Sequence, residues 1–148
     1  MATLLSHKAS LTLKESRYLT HIYRKQVEED DRVTTTGLAK MFKVSPAAVT
    51  ETLQILAKKK LVKYIRYYGV RLTEKGMIEA QKLLRKHRIL EFLFTDFLSY
   101  DLKKACEEAS RIDFYCSEVL INSICRTYGH PDTCPCDKRI FKSLECLG

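Results

Sequence analysis

The residues of this chain best suited to hold a metal are its six cysteines, all of which lie in its last third. Six thiols scattered at random would rarely cluster in this way, so the clustering favours a shared role. Thiolates bind zinc and iron–sulfur clusters, and they also form redox-active disulfides. The sequence therefore predicts a metal, cluster or redox site near its C-terminal end. The cysteines are Cys106, Cys116, Cys125, Cys134, Cys136 and Cys146.

Two sets of ligands for such a site remain open. If residues 106–127 form one helix, Cys116 and Cys125 lie about 180° apart around its axis, since each residue turns an α-helix by about 100°. One compact site cannot easily use both. The first set is Cys125, Cys134 and Cys136, with His130 as an added ligand. The second and favoured set is Cys106, Cys116, Cys134 and Cys136, with Cys146 left over.

Four thiolates suit a 4Fe–4S cluster or a zinc ion. Pro135, between Cys134 and Cys136, supports a defined site because proline fixes a turn that can aim both thiols in one direction. The spacing is weaker than the closely paired cysteines of zinc knuckles, so a redox-active pair and purely structural cysteines stay open as alternatives. No C-x-x-C motif accompanies them, and we expect no enzymatic activity.

The positive charge of the chain is concentrated in its first hundred residues. Residues 1–100 carry 19 basic and 10 acidic side chains, a net charge of +9, whereas residues 101–148 carry 7 and 8, a net charge of −1. A basic front predicts binding to nucleic acid. No apolar run approaches the roughly 18 residues that span a bilayer, and no signal-peptide pattern is visible. We therefore expect a cytoplasmic protein with no membrane partner.

Three helices and a hairpin are predicted in this basic region. The pattern indicates a first helix over about residues 12–27 and a short second helix capped by Thr36. A third helix follows Ser45 as its N-cap, with Pro46 in the first helical position. Alternating residues around the Tyr68–Gly69 turn predict a two-stranded hairpin. This order is typical of a winged helix-turn-helix domain.

The third helix and the hairpin carry the side chains that suit contact with DNA. Small residues on the outer face of the helix permit close approach to the major groove, where base edges are read. Basic and tyrosine side chains of the hairpin can reach phosphates and sugars, although packing of the tyrosines within the wing is the alternative. The predicted contact residues are Thr35, Thr36, Ser45, Ala47, Ala48, Thr50, Glu51, Gln54, Lys59, Tyr64, Arg66, Tyr67 and Arg71.

A long fourth helix, predicted from Thr73 to about Phe94, leads into an apolar segment that one small domain is too small to cover. The segment predicts a homodimer, which would place two reading helices on successive turns of double-stranded DNA. The predicted fold is mainly α, with a winged helix-turn-helix DNA-binding domain at 1–74 and a helical dimerisation and sensor domain at 75–148. A short terminal helix is expected to include Ile140, Phe141 and Leu144. The apolar segment contains Ile89, Leu90, Phe92, Leu93, Phe94, Phe97 and Leu98.

These motifs together resemble the diphtheria-toxin-repressor and manganese-transport-regulator family of metal-dependent repressors. The resemblance covers most of residues 12–120, and its most specific part is RKHRILEFL followed by EEA-x-R. It implies a winged-helix DNA-binding domain, a helical dimerisation domain, a divalent metal as co-repressor and a palindromic operator. The matching segments are YLTHIY (18–23), LAKMFKVSPAAVTETLQIL (38–56), YYGVRLTEKG (67–76), RKHRILEFLFTDFL (85–98) and CEEASRIDFYCSE (106–118).

The resemblance implies two metal sites, and the first of them departs from the family pattern. Of the matching positions only Asp113 is a good ligand, because phenylalanine cannot bind a metal and arginine brings a positive charge. We predict that this site is lost and that an Arg17–Asp113 ion pair replaces it. The matching positions are Arg17, Ser110, Asp113 and Phe114.

The second, ancillary site of the family is better preserved. Its matching residues are His87, Glu91 and Cys106, a set that can hold zinc or iron. Pairing of His87 with Glu91, one helical turn away, is the alternative.

The predicted function is that of a homodimeric transcriptional regulator of this type. It is expected to sense iron, an iron–sulfur cluster or redox state through its C-terminal cysteines. One alternative is a classical repressor that depends on a divalent metal (Fe, Mn or Zn) at the ancillary site. Another is a constitutive winged-helix DNA-binding protein with structural zinc.

Overall fold

The predicted winged helix-turn-helix is confirmed in the first half of the chain. A computed structural model describes residues 10–147. A π-helical turn, Arg24–Glu28, extends the first helix. No helix of the described residues is long and apolar enough to cross a membrane. The elements of this half are α1 (Leu13–Tyr23), α2 (Thr35–Phe42), α3 (Pro46–Lys58), β1 (Val62–Ile65) and β2 (Gly69–Leu72).

Side-chain caps decide where α2 and α3 begin. Ser45 accepts a hydrogen bond from a backbone amide at the start of α3 and is followed by Pro46, which confirms the prediction. The prediction for α2 was wrong by two residues. Thr34 rather than Thr36 is the N-cap, since its hydroxyl accepts from the Gly37 amide at 3.0 Å. Three consecutive threonines offer the same hydroxyl, and only the extended backbone at Thr34 selects the cap.

The hairpin and the start of the next helix pack closely. Strands β1 and β2 are antiparallel, with Val62 opposite Leu72. Thr73 accepts from the amide of Gly76 at 3.0 Å and so begins helix α4 (Glu74–Asp96), as predicted. A Cβ atom at Gly76 would lie 1.9 Å from the Leu61 carbonyl oxygen, so only glycine permits this approach of α4 to the wing.

The second half of the chain is helical. Helices α5 (Leu102–Ile112) and α6 (Glu118–Thr127) are separated by a 3₁₀ turn, Asp113–Tyr115, and a four-residue helix, α7 (Leu144–Leu147), ends the described chain. The single helix considered for residues 106–127 is therefore two helices. The chain divides into two compact units between Ala80 and Gln81, within α4. The domain boundary predicted at residue 74 stays a prediction.

The core of the second unit contains part of the apolar segment assigned above to a dimer surface. Ile89 and Leu90 are buried together with Ala109 and Ile121. A segment this rich in apolar residues does not reveal from its sequence which of them face the core and which face a partner, so the prediction included Ile89 and Leu90. Phe97 remains 75% exposed.

The terminal helix is shorter than predicted. Ile140 and Phe141 precede α7 and lie in irregular chain, where a bridge pairs Thr133 with Arg139. The amide of Ile140 donates to the Asp132 carbonyl at 2.8 Å, a tertiary bond that replaces helical bonding. Ile140 is nevertheless buried.

Candidate metal centre

Three potential metal ligands converge between α4 and α5. His87 and Glu91 lie one turn apart on α4, with Nε2 of the histidine 2.9 Å from Oε1 of the glutamate. Cys106 on α5 brings its Sγ to 3.5 Å from the same Nε2. One donor atom from each residue lies within 4.8 Å of the other two. These three residues form the His87 centre.

The donor atoms of the His87 centre fit a transition metal. Zinc-to-nitrogen and zinc-to-sulfur bonds of about 2.0 and 2.3 Å imply ligand atoms about 3.3–3.8 Å apart in a tetrahedron. The separations of 2.9 and 3.5 Å are close to that range. His87 and Glu91 are 4% exposed and Cys106 is half-buried, so an ion there would be largely shielded from water.

Asp113 orients the histidine of this centre. Its Oδ2 lies 2.9 Å from Nδ1 of His87, and its side chain is buried. Metal-binding histidines usually donate their second ring N–H to a carboxylate, which fixes the tautomer and the ring orientation. The Nδ1–Asp113 contact therefore leaves Nε2 directed toward Glu91 and Cys106.

The charge of His87 depends on these neighbours. Burial by itself lowers the pKa of His87, but hydrogen bonds to Asp113, Cys106 and Glu91 outweigh burial and raise that pKa to about 10. The metal-free side chain is thus an imidazolium held between two carboxylates. A metal at Nε2 must displace this proton.

Cys136 adds a thiol at the edge of the His87 centre. Its Sγ lies 3.5 Å from Oε2 of Glu91, whose Oε1 lies against His87. Partial burial and then the negative charge of Glu91 raise the pKa of the Cys136 thiol to about 11. The residue is otherwise exposed. A metal ion bound between them would offset the electrostatic repulsion between the Cys136 thiolate and the Glu91 carboxylate.

The remaining cysteines are not among the three ligands of the His87 centre, and all six thiols are free. Among residues 10–147, Cys116 and Cys134 belong to neither group of three ligands whose donor atoms lie within 4.8 Å of one another. Cys116 is half-buried, and Cys134 is buried in the core. The structure therefore does not bring the four thiols of the favoured set into one group. Cys125 belongs to the second group of three.

That second group was not predicted as a set. Cys125 lies beside His130 and Cys146, a residue left over in both predicted sets. The Cys-x4-His spacing of residues 125–130 was the one signal in the sequence that pointed to it. The Arg17–Asp113 ion pair stays a prediction, because Arg17 belongs to the first unit and Asp113 to the second.

The predicted reading face of α3 is exposed. Its inner residues Val49, Leu53 and Leu56 are fully buried. On its outer side only Ala48 is half-buried. The exposed predicted contact residues of α2, α3 and its N-cap are Thr36, Ser45, Ala47, Thr50, Glu51 and Gln54, whereas Thr35 is half-buried.

The wing projects basic and aromatic side chains into solvent. Tyr64 and Tyr67 are 52% and 80% exposed, and Arg66 and Arg71 are exposed as well. The Arg66 guanidinium lies 5.0 Å from the ring centre of Tyr67. Within residues 10–147, these exposed side chains are free of the kind of ion pair that Lys59 forms.

The ammonium of Lys59 already has a partner. It donates to Oε2 of the buried Glu15 at 2.6 Å and to the Ser10 carbonyl at 2.9 Å. Its contact with phosphate therefore remains a prediction that competes with this ion pair.

Comparison with known proteins assigns both parts of the chain to one family. Residues 10–70 match the model described as "Iron dependent repressor, N-terminal DNA binding domain". Residues 73–142 match "Iron dependent repressor, metal binding and dimerisation domain". An uncharacterized HTH-type transcriptional regulator of Methanocaldococcus jannaschii is 36% identical over 107 residues, which cover 72% of this chain and 86% of that protein.

Two further relatives agree. The HTH-type transcriptional regulator MntR of Bacillus subtilis is 27% identical over 128 residues, covering 86% of this chain and 89% of MntR. The structure of the manganese regulator SloR has a TM-score of 0.77 at 30% identity, covering 89% of this chain and 61% of the SloR chain. A winged-helix unit followed by a metal-binding helical unit defines a metal-dependent transcriptional regulator, not an enzyme. The chain belongs to the iron-dependent repressor family, which confirms the resemblance.

Proposed function

We propose that one divalent metal ion, held by His87, Glu91, Cys106 and Cys136, raises the affinity of this regulator for its operator. The observation that carries the proposal is the convergence of three donor atoms within 4.8 Å around a histidine that a carboxylate orients. The ion would offset the charges of Glu91 and the thiolates. It would tie together α4, α5 and the turn that carries Cys136.

The donor set favours a softer ion than manganese. Imidazole and thiolate suit zinc and iron, whereas manganese prefers carboxylate and water oxygen. Cys106, and Cys136 at the edge, supply thiolates here. We therefore propose ferrous iron or zinc as the ion, although SloR is described as a manganese regulator.

The DNA contacts that we propose follow from exposure. The N-terminal part of α3 would enter the major groove, with Thr50, Glu51 and Gln54 facing the base edges. Arg66 and Arg71 of the wing would contact phosphate. Two copies would bind a palindromic operator, since the matched second domain is described as a dimerisation domain. Lys59 is left out because Glu15 pairs with it.

Sensing through an iron–sulfur cluster or cysteine redox chemistry stays a prediction. Such a cluster needs several thiolates at one place, and the donor groups found among residues 10–147 hold at most two cysteines each. The mononuclear centre needs no rearrangement of that kind, and we favour it for this reason.

The test is operator affinity with and without metal. A duplex selected from random DNA by the zinc- or iron-loaded protein serves as the probe, and fluorescence anisotropy gives its dissociation constant. We expect a chelator to weaken binding by about tenfold or more, which is within the usual range of allosteric coupling. Glu91→Gln should bind DNA equally weakly with and without metal.

Glu108→Gln is the matched control. Its side chain contacts Arg111 on the exposed surface of α5, and it should keep the full response to metal. Equal affinity of the wild-type protein with and without metal would overturn the proposal and leave a constitutive DNA-binding protein. Brown protein with iron and acid-labile sulfide would overturn the mononuclear centre in favour of a cluster.

A further inference from the structure

A second group of metal-ligating side chains lies in the C-terminal part of the chain and shares no residue with the His87 centre. We propose that Cys125, His130 and Cys146, which form the Cys125 centre, hold a structural zinc ion. This inference goes beyond the proposed function and does not depend on it. None of the three residues is required for the His87 centre.

The three donor atoms of the Cys125 centre lie close enough together to bind one metal ion. Nδ1 of His130 lies 3.4 Å from the sulfur of Cys125 and 3.4 Å from the sulfur of Cys146. All three donor atoms lie within 4.8 Å of one another. Ligands of a tetrahedral zinc ion are about 3.3–3.8 Å apart, so the two measured separations need no adjustment.

The backbone is shaped to bring His130 to this position. After α6, Gly129 and His130 both adopt positive φ angles, 69° and 58°. Among residues other than glycine, it is asparagine, aspartate and histidine that adopt this conformation most often, and it turns the chain sharply. The amide of His130 donates to the Cys125 carbonyl at 2.8 Å, and Lys142 donates to the His130 carbonyl at 2.8 Å. The imidazole is therefore positioned by its own backbone.

A buried arginine lies beside Cys125, in the surroundings of the Cys125 centre. Arg85 is 3% exposed, and its Nε, Nη1 and Nη2 form no hydrogen bond with any residue of the described chain. Its nearest carboxylate is that of Glu118, 3.7 Å from Nη1. Burial and then the neighbouring Cys146 thiol raise the pKa of Cys125, whereas the guanidinium lowers it.

A zinc ion would explain the buried N–H groups of Arg85 that have no hydrogen-bond partner among the described residues, whereas a disulfide would not. Metal-bound thiolate sulfurs are strong acceptors for N–H groups in the surrounding shell. A disulfide between Cys125 and Cys146 would be neutral, would leave Arg85 with unsatisfied donors and would give His130 no role. Two thiolates also neutralise the charge of Zn²⁺, so the loaded centre can be buried next to one cation. The absence of a carboxylate from this group of described residues disfavours harder ions.

The short last helix gives the zinc ion a structural purpose. A helix of four residues is not stable in isolation, because nucleation is costly. Cys146 is 3% exposed and is the buried residue of α7. A zinc ion shared with Cys125 of α6 would hold this helix and the preceding segment in place.

Zinc stoichiometry of the full chain tests the inference. Protein purified under reducing conditions is stripped with chelator and dialysed, then loaded with zinc, and zinc and protein are quantified. We expect two zinc ions per wild-type chain, one in His130→Ala and one in Cys146→Ser. Replacing zinc with Co²⁺ should show sulfur-to-metal charge-transfer absorption that Cys146→Ser reduces.

Cys116→Ser is the matched control, since Cys116 is a half-buried thiol in neither centre, and it should keep both ions. His87→Ala should lose the other ion only. If the His87 centre binds nothing, the wild-type chain would hold one zinc, still lost in His130→Ala. Since α7 has only four residues, the circular dichroism of His130→Ala should differ from that of the wild type by no more than the loss of this short helix. Unchanged zinc content in His130→Ala and Cys146→Ser, or a Cys125–Cys146 disulfide in the metal-loaded protein, would overturn the inference.

Discussion

At the scale of single residues, the metal centre depends on the two nitrogens of His87 having different partners. Nδ1 lies against Asp113, and Nε2 lies against Glu91 and Cys106. A histidine without the aspartate could rotate or take the other tautomer. Asp113 thus serves the centre without being one of its ligands.

Asp113→Asn tests this positioning role. We expect the affinity of the His87 centre for zinc or iron to fall by about 10–100-fold, the usual effect of removing a carboxylate that orients a ligand. Competition with a chromophoric chelator measures that affinity, and Glu108→Gln provides a charge-matched control. An affinity within twofold of the wild type would show that Asp113 does not orient His87.

The pH dependence of metal binding follows from the pKa of His87. Because that pKa is raised to about 10, the metal-free imidazole is protonated throughout the neutral range, and the metal must release its proton. Apparent affinity should therefore rise with pH between 6 and 8, by about tenfold per unit for each proton displaced. Calorimetry in buffers of different ionisation enthalpy counts the protons. Affinity that is independent of pH in this range would contradict the assignment.

The ligands of the two centres differ in how far they could be predicted. His87 and Glu91 have helical spacing, and their match to a family motif also brought in Cys106. His130 and Cys146 are sixteen positions apart in irregular chain and a very short helix. Their approach depends on left-handed backbone and tertiary bonds, for which a single sequence carries no periodic signal.

At the scale of elements, capping determines the helix boundaries that sequence patterns leave uncertain. Ser117 caps α6 by accepting from the Leu120 amide at 3.2 Å, and this cap marks the break after α5. The serine was visible in the sequence, but the apolar pattern continues across it. Helix α2 shows the same ambiguity, because Thr34 and Thr36 are chemically identical.

A pair of threonine variants tests the assignment of the α2 cap. Thr34→Ala should lower the free energy of unfolding by about 1 kcal/mol, because the Gly37 amide loses its acceptor. Thr36→Ala should change it by less than about 0.5 kcal/mol, since Thr36 is exposed within the helix. Urea unfolding followed by circular dichroism measures both. The opposite order would contradict the cap at Thr34.

At the scale of the whole molecule, the residues suited to DNA binding and the residues suited to metal binding lie in different parts of the sequence. The basic residues that suit phosphate contact lie in the first hundred positions, and the thiols lie in the last third. This division was predictable from composition because it needs no knowledge of the fold. The contact surface of a homodimer was harder to predict, since Ile89 and Leu90, which were assigned to it, are buried in the hydrophobic core of the second unit.

Arg66→Ala tests the phosphate contact proposed for the wing. We expect weaker binding to all duplexes by a similar factor, and a salt dependence whose slope falls by about 1. Lys103→Ala removes the same charge from the exposed surface of α5 and should leave the slope unchanged. A sequence-selective loss in Arg66→Ala would instead assign this side chain to base reading.

An anomalous difference map from crystals of the zinc-loaded full chain tests whether one metal ion occupies the His87 centre. We expect a single-ion peak within bonding distance of His87 Nε2, a Glu91 oxygen and the Cys106 sulfur. A map with no peak at these three atoms, or with a multinuclear cluster among the cysteines, would contradict the mononuclear centre.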